Sequence, residues 1–93
     1  MPADGRSATK IFLREHPDWA DVVRACWEEA GDLDHFPGAF VLVRVGRWLP
    51  SLRTLATAGI IEKVRTTRQG RRAYYRMPDR DGVGEALREL GVV

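Results

Sequence analysis

Cysteine, histidine and serine are scarce in this chain. It holds one cysteine, Cys26, two histidines, His16 and His35, and two serines, Ser7 and Ser51. A single cysteine excludes an internal disulfide and a thiolate metal cluster, and it fits a reducing interior. The two histidines stand alone, neither at metal-ligand spacing with a partner, so they make no metal site and no nucleophile–base pair. Gly82 and Gly84 precede no basic or hydroxyl signature, which leaves no phosphate-binding loop. Glu28-Glu29 and Asp32-Asp34 invite comparison with a cation cluster, but acids at the end of a solvated helix are far commoner. The expectation is a protein that is not an enzyme and carries no metal or cofactor. Long apolar runs are missing too. The longest is Ala39–Val43, against the roughly 20 residues a membrane helix needs. Nothing reads as a leader, and a cytoplasmic protein without a membrane partner is expected.

Acidic residues are nearly absent from one part of the chain. Residues 47–78 carry eight bases (Arg47, Arg53, Lys63, Arg65, Arg68, Arg71, Arg72 and Arg76) against Glu62 alone. Residues 1–46 hold five bases and eight acids, and the last fifteen hold two and four. The formal charge of +2 therefore conceals a segment of +7 between two acidic ones. Five of those arginines crowd into RTTRQGRRAYYRM, residues 65–77. Such segregation points to a face that meets an anion, with nucleic acid the first candidate. Thirteen of the fifteen bases are arginine; a general arginine bias explains that choice but not the clustering.

With 93 residues the chain makes one domain with a modest core. Ser7 is a plausible N-cap for a first helix over about 7–16, which His16-Pro17 ends, because the residue before proline avoids helical geometry. Trp19, Val22, Val23, Cys26, Trp27 and Ala30 form the stripe of a core-facing helix over 18–30, with Gly31 as its stop. On that stripe Trp19 and Trp27 are core, and Cys26 is an inert buried thiol. Residues 37–45 are ambiguous: the flanking proline and glycine favour a helix and the valines a strand, and helix is the expectation. Leu49, Leu52, Leu55 and Ala56 mark a helix over 48–58, trimmed by Pro50 and terminated by Gly59. Residues 60–77 read as a hairpin turning at Arg68-Gln69-Gly70. Its second strand sets Ala73, Tyr75 and Met77 on one face and Arg72, Tyr74 and Arg76 on the other. A last helix, 79–90, points Val83, Ala86, Leu87 and Leu90 inward.

Helices, a tightly joined helix pair, a basic hairpin and a closing helix make the order of a winged helix-turn-helix domain, mainly α with a small β-hairpin. Residues 52–64, LRTLATAGIIEKV, followed by GRRAYYRM, resemble the third helix and wing of ArsR, PadR and MarR-like regulators. The resemblance spans about residues 37–77. Two features depart from it: the turn joining the helix pair is short, and Pro50 trims the recognition helix. The metal-sensing cysteines of ArsR proteins have no counterpart. The resemblance implies a sequence-specific DNA-binding protein, a transcriptional regulator, with helix 48–58 in the major groove of double-stranded DNA.

The residue types agree with that implication. Ser51, Arg53, Thr54 and Thr57 offer small, polar or arginine side chains opposite Leu52 and Leu55, and Arg47 leads the helix. Arg68 and Arg71 at the hairpin tip, with Arg65 and Arg72 beside them, suit the phosphate backbone. Arg65, Arg72 and Arg76 equally suit a solvated hairpin or pairing with the acidic first half. One of Tyr74 and Tyr75 should pack on the helices. The alternative function is an accessory subunit whose basic hairpin docks on an acidic protein. One winged helix reads few base pairs, so a homodimer is expected through the N-terminal helix (Ile11, Phe12, Leu13) and the C-terminal helix. Three consecutive large apolar residues cannot all enter one core, and at least one should be left for a partner.

Overall fold

A computed structural model describes residues 4–32, 34–45, 52–66 and 73–93. Helix α1 (Gly5–Glu15) starts two residues before the position expected from Ser7. Asp4 is its cap, accepting the Arg6 N–H at 3.0 Å and the Ser7 hydroxyl at 2.9 Å. A carboxylate is the stronger acceptor, so Ser7 becomes a donor inside the first turn. The helix stops at His16 before Pro17, as the proline requires, and the His16 N–H closes on the Phe12 carbonyl at 2.8 Å.

Pro17–Trp19 forms one 3-10 turn, and α2 (Ala20–Asp32) follows. Val22, Val23 and Cys26 are fully buried along the expected stripe, whereas Trp19 and Trp27 are partly buried and flank the core. Gly31 does not stop α2 but lies within it. The Arg80 side chain crosses at that point, so closely that a Cβ would collide with its guanidinium.

Residues 36–45 contain an element that the pattern did not suggest. Phe36–Pro37 forms a short strand, β1, and only then does α3 (Gly38–Val45) begin. Helix is thus the outcome for the ambiguous segment, with Pro37 in a sheet edge, where a residue without an N–H is tolerated. After residues 46–51, which lie outside the described chain, α4 (Arg53–Thr57) is short. Leu52, expected inside this helix, is its N-cap, and its side chain is buried. Leu55 is fully buried and Ala56 partly so. Gly59, at φ 85°, reverses the chain so that the Ile60 N–H reaches back to the Leu55 carbonyl at 3.1 Å. That left-handed turn, open to glycine at no steric cost, drives Ile60 and Ile61 into the core.

Strands β2 (Glu62–Thr66) and β3 (Ala73–Arg76) pair antiparallel, and β1 pairs antiparallel with the other edge of β3. The result is a mainly helical domain with a three-stranded sheet in the order β1-β3-β2. The expected tip, Arg68-Gln69-Gly70, lies outside the described residues. Tyr75 is the tyrosine that packs inward, 7% exposed, beside Phe36.

Helix α5 (Arg80–Glu89) closes the core with Val83, Ala86 and Leu87. Leu90, the C-cap of this helix, is half exposed, contrary to expectation. Gly91, at φ 75°, folds the chain back so that the Val92 N–H reaches the Leu87 carbonyl at 2.8 Å. At the other end Asp79 accepts the Gly82 N–H at 3.2 Å and, across the fold, the Gly5 N–H at 2.9 Å. One carboxylate caps two helices. Glycines permit the approach: a Cβ at Gly82 would stand 3.0 Å from the Arg6 nitrogen, and one at Gly84 would stand 2.8 Å from the Trp27 ring nitrogen. Trp27 and Arg80 lock the far side by each donating a side-chain N–H to the other's backbone carbonyl, Nε1 at 3.2 Å and Nε at 3.0 Å, with the guanidinium over the indole.

Thr9 is fully buried in α1 and its hydroxyl has no hydrogen-bond partner. An unmatched buried hydroxyl costs about 1–3 kcal/mol, and an N-cap contributes about 1 kcal/mol. Asp79→Ala is therefore expected to lower unfolding stability by about 2 kcal/mol, while Thr9→Val raises it by about 1 kcal/mol. Urea unfolding followed by circular dichroism checks both signs.

Candidate functional site

The positive segment runs through α4 and the β2–β3 hairpin. On α4, Leu55 holds the inner side and Arg53, Thr54 and Thr57 are exposed. Arg53 lies near enough to Tyr75 for its charge to oppose the upward pull that burial exerts on the tyrosine's pKa. Three of the expected contact residues thus share the outer side of one short helix. Arg47, Ser51, Arg68, Arg71 and Arg72 lie outside the described residues.

The next element displays charge still more openly. All five residues of β2 are exposed, and β2 is an edge strand. Arg65 is among them, and its guanidinium carbon stands 4.6 Å from the centre of the Tyr74 ring. Arg76 is held by Glu62 on the opposite strand, Nε to carboxylate 3.1 Å. Both arginines therefore make these contacts inside the hairpin. Three acids elsewhere have partners of their own. Arg44 joins Glu28 and Glu29 at 2.9 and 3.1 Å, tying α3 to α2. Glu89 on α5 takes Arg6 and Lys10 from α1, and hydrogen bonds from those cations hold its carboxyl down at about 2.

Two participants were not legible beforehand. His35, which looked isolated in the sequence, meets the Tyr74 ring edge-on at 5.6 Å. Val64 is the extra residue of a β-bulge between Lys63 and Arg65. No pattern of residue types announces either, since both depend on strand register.

Among the described residues no group of three or more histidine, cysteine or acidic side chains stands together as a metal site, and no helix is long and apolar enough to cross a membrane. No family model, curated protein or solved structure matches the chain.

Cys26 is fully buried, and burial, with Glu29 adding to it, pushes its thiol up to about 12. The thiolate is the reactive form. Iodoacetamide at pH 8 should leave the folded protein unmodified and label Cys26 completely in denaturant; mass spectrometry reads the difference.

Proposed function

We propose that this chain is a winged helix-turn-helix domain that binds double-stranded DNA sequence-specifically, as a transcriptional regulator. In this reading α4 and the residues preceding it enter the major groove, and the hairpin follows the phosphate backbone. The observation that carries the reading is the adjacency of two unlike surfaces. A short helix turns Arg53, Thr54 and Thr57 outward over a buried Leu55. Directly after it comes an exposed edge strand bearing Lys63 and Arg65. Small polar groups and an arginine suit base edges, and clustered cations suit phosphate. The third strand supports the reading further, because β1 anchors β3 from its other side and gives the hairpin a fixed base. Arg47 and Ser51 belong with the helix in this reading, and Arg68, Arg71 and Arg72 with the backbone contact.

One observation favours the accessory-subunit alternative. On α3, Phe40 is 50% exposed and Val43 81% exposed, an apolar pair one turn apart that suits protein contact. Salt separates the two readings. A domain neutralising about five phosphates shows log K falling against log[salt] with a slope of about −4 to −5. A partly apolar protein interface is far less sensitive.

The homodimer belongs to the DNA-binding reading and needs a revised surface. Phe12, Leu13, Val83 and Leu87 are all in this chain's own core. Ile11, 56% exposed, is the one of its three neighbours left outside, with Leu90 and Val93 half exposed at the other end. Ile11 lines an open groove of about 410 Å3 between α1 and Ala58.

Fluorescence anisotropy with duplex DNA across a salt series tests the main reading, and a flat response would overturn it. Within it, Arg53→Ala should change sequence preference by about 1–3 kcal/mol at one base pair and leave affinity elsewhere nearly unaltered, as selection from a random duplex pool would reveal. Light scattering should return about twice the 10.5 kDa chain mass, falling towards one chain in Ile11→Glu. Phe12→Glu is unsuitable for that purpose, because it places a charge in the core.

A further inference from the structure

The outer face of the sheet holds an arrangement that simple alternation does not produce. Glu62 stands opposite Arg76, and Lys63 opposite Tyr75. A regular ladder would continue with Val64 opposite Tyr74 and Arg65 opposite Ala73, on the side facing the helices. The bulge at Val64 advances the register by one residue, and Arg65 comes opposite Tyr74 instead. Cross-strand partners share a face, so the bulge transfers Arg65 from the inner side to the outer. There its guanidinium stacks over the tyrosine ring at 4.6 Å. Tyr74 is itself held in place. Pro37 of β1 is its cross-strand neighbour on the other side, and His35 closes edge-on at 5.6 Å. Tyr74 is half-buried while Arg65 is exposed.

We propose that Tyr74 is a positioning residue that presents Arg65 to a backbone phosphate of duplex DNA, and that Arg76, on the same face, takes no part. The proposal rests on the DNA-binding reading and assigns the role to a ring whose hydroxyl is not needed. An arginine that samples many rotamers loses that freedom when it closes on a phosphate. One already resting on an aromatic face has less to lose. Stacking uses the flat face of the guanidinium and leaves its N–H edges, which lie in the plane, open for a bidentate contact. Arg76 differs because its Nε donates to Glu62 at 3.1 Å, so a carboxylate already stands against its guanidinium.

The test is anisotropy of a fluorescein-labelled duplex bound to the full chain over a salt series, with circular dichroism verifying that each variant folds. Arg65→Ala should lower the magnitude of the salt slope by about one and weaken binding roughly five- to tenfold near 0.1 M salt. Tyr74→Phe, which keeps the ring, should match the wild type. Tyr74→Leu, which keeps apolar bulk but no π face, should weaken binding several-fold, and should add nothing in an Arg65→Ala background. The paired variant Glu62→Ala, Arg76→Ala leaves net charge unaltered and should leave the slope unaltered as well. The positioning role is overturned if Tyr74→Leu binds like wild type, if its effect adds fully to that of Arg65→Ala, or if Tyr74→Phe is as weak as Tyr74→Leu. A paired variant that loses as much slope as Arg65→Ala overturns the exclusion of Arg76. A wild-type protein with no salt-dependent duplex binding overturns the DNA reading and this proposal with it, a result distinct from the others.

Discussion

Asp79 sits where two helices begin, and its carboxylate accepts an N–H from each, Gly82 of α5 and Gly5 of α1. The first turn of any helix leaves backbone donors without partners and carries the positive end of the helix dipole. Meeting both sets with one acid requires the two N-termini to come within the span of a carboxylate. Only backbone without side chains approaches that closely, which is why glycine stands at positions 5 and 82. Gly84 extends the same close packing to Trp27, so α5 is seated against α1 and α2 together.

The sheet inherits its position from that junction. Asp79 lies three residues beyond the end of β3, so the point that joins α1 to α5 also anchors the central strand. Tyr75 of that strand and Met77 just beyond it face the core, and Phe36 of β1 packs beside Tyr75. β3 is thus held by a strand on either side, by helices beneath and by a cap at its exit. β2 has none of this support on its outer edge, and its residues stand exposed. A rigid base with an open charged edge is the arrangement on which the proposed backbone contact depends.

Electrostatics follows the same division. The acidic segments bind bases from their own surroundings: Glu28 and Glu29 take Arg44, and Glu89 takes Arg6 and Lys10. Such exposed pairs are worth little individually. Their consequence is that these carboxylates are engaged away from the hairpin, where Glu62 is matched to Arg76.

The helices were legible because periodic apolar residues report burial directly. Val22, Val23 and Cys26 are fully buried, and the outward side of α4 carries Arg53, Thr54 and Thr57 as their spacing implies. Stops governed by local backbone chemistry were legible too, as at Pro17 and Gly59. Gly31 lies one residue inside the end of α2, so it marked that end to within one position. β1 was hidden because two residues show no periodicity. The sequence by itself determined the core-facing stripe of α2, the opposite faces of Tyr74 and Tyr75 on β3, and where positive charge collects, since each depends on residues near one another in the chain. Only the tertiary structure decided that Asp79 serves two helices, that His35 meets Tyr74, and that Arg65 lies on the outer face. Those outcomes depend on the register and approach of segments far apart in sequence, and a one-residue shift between strands reverses the side on which a residue stands.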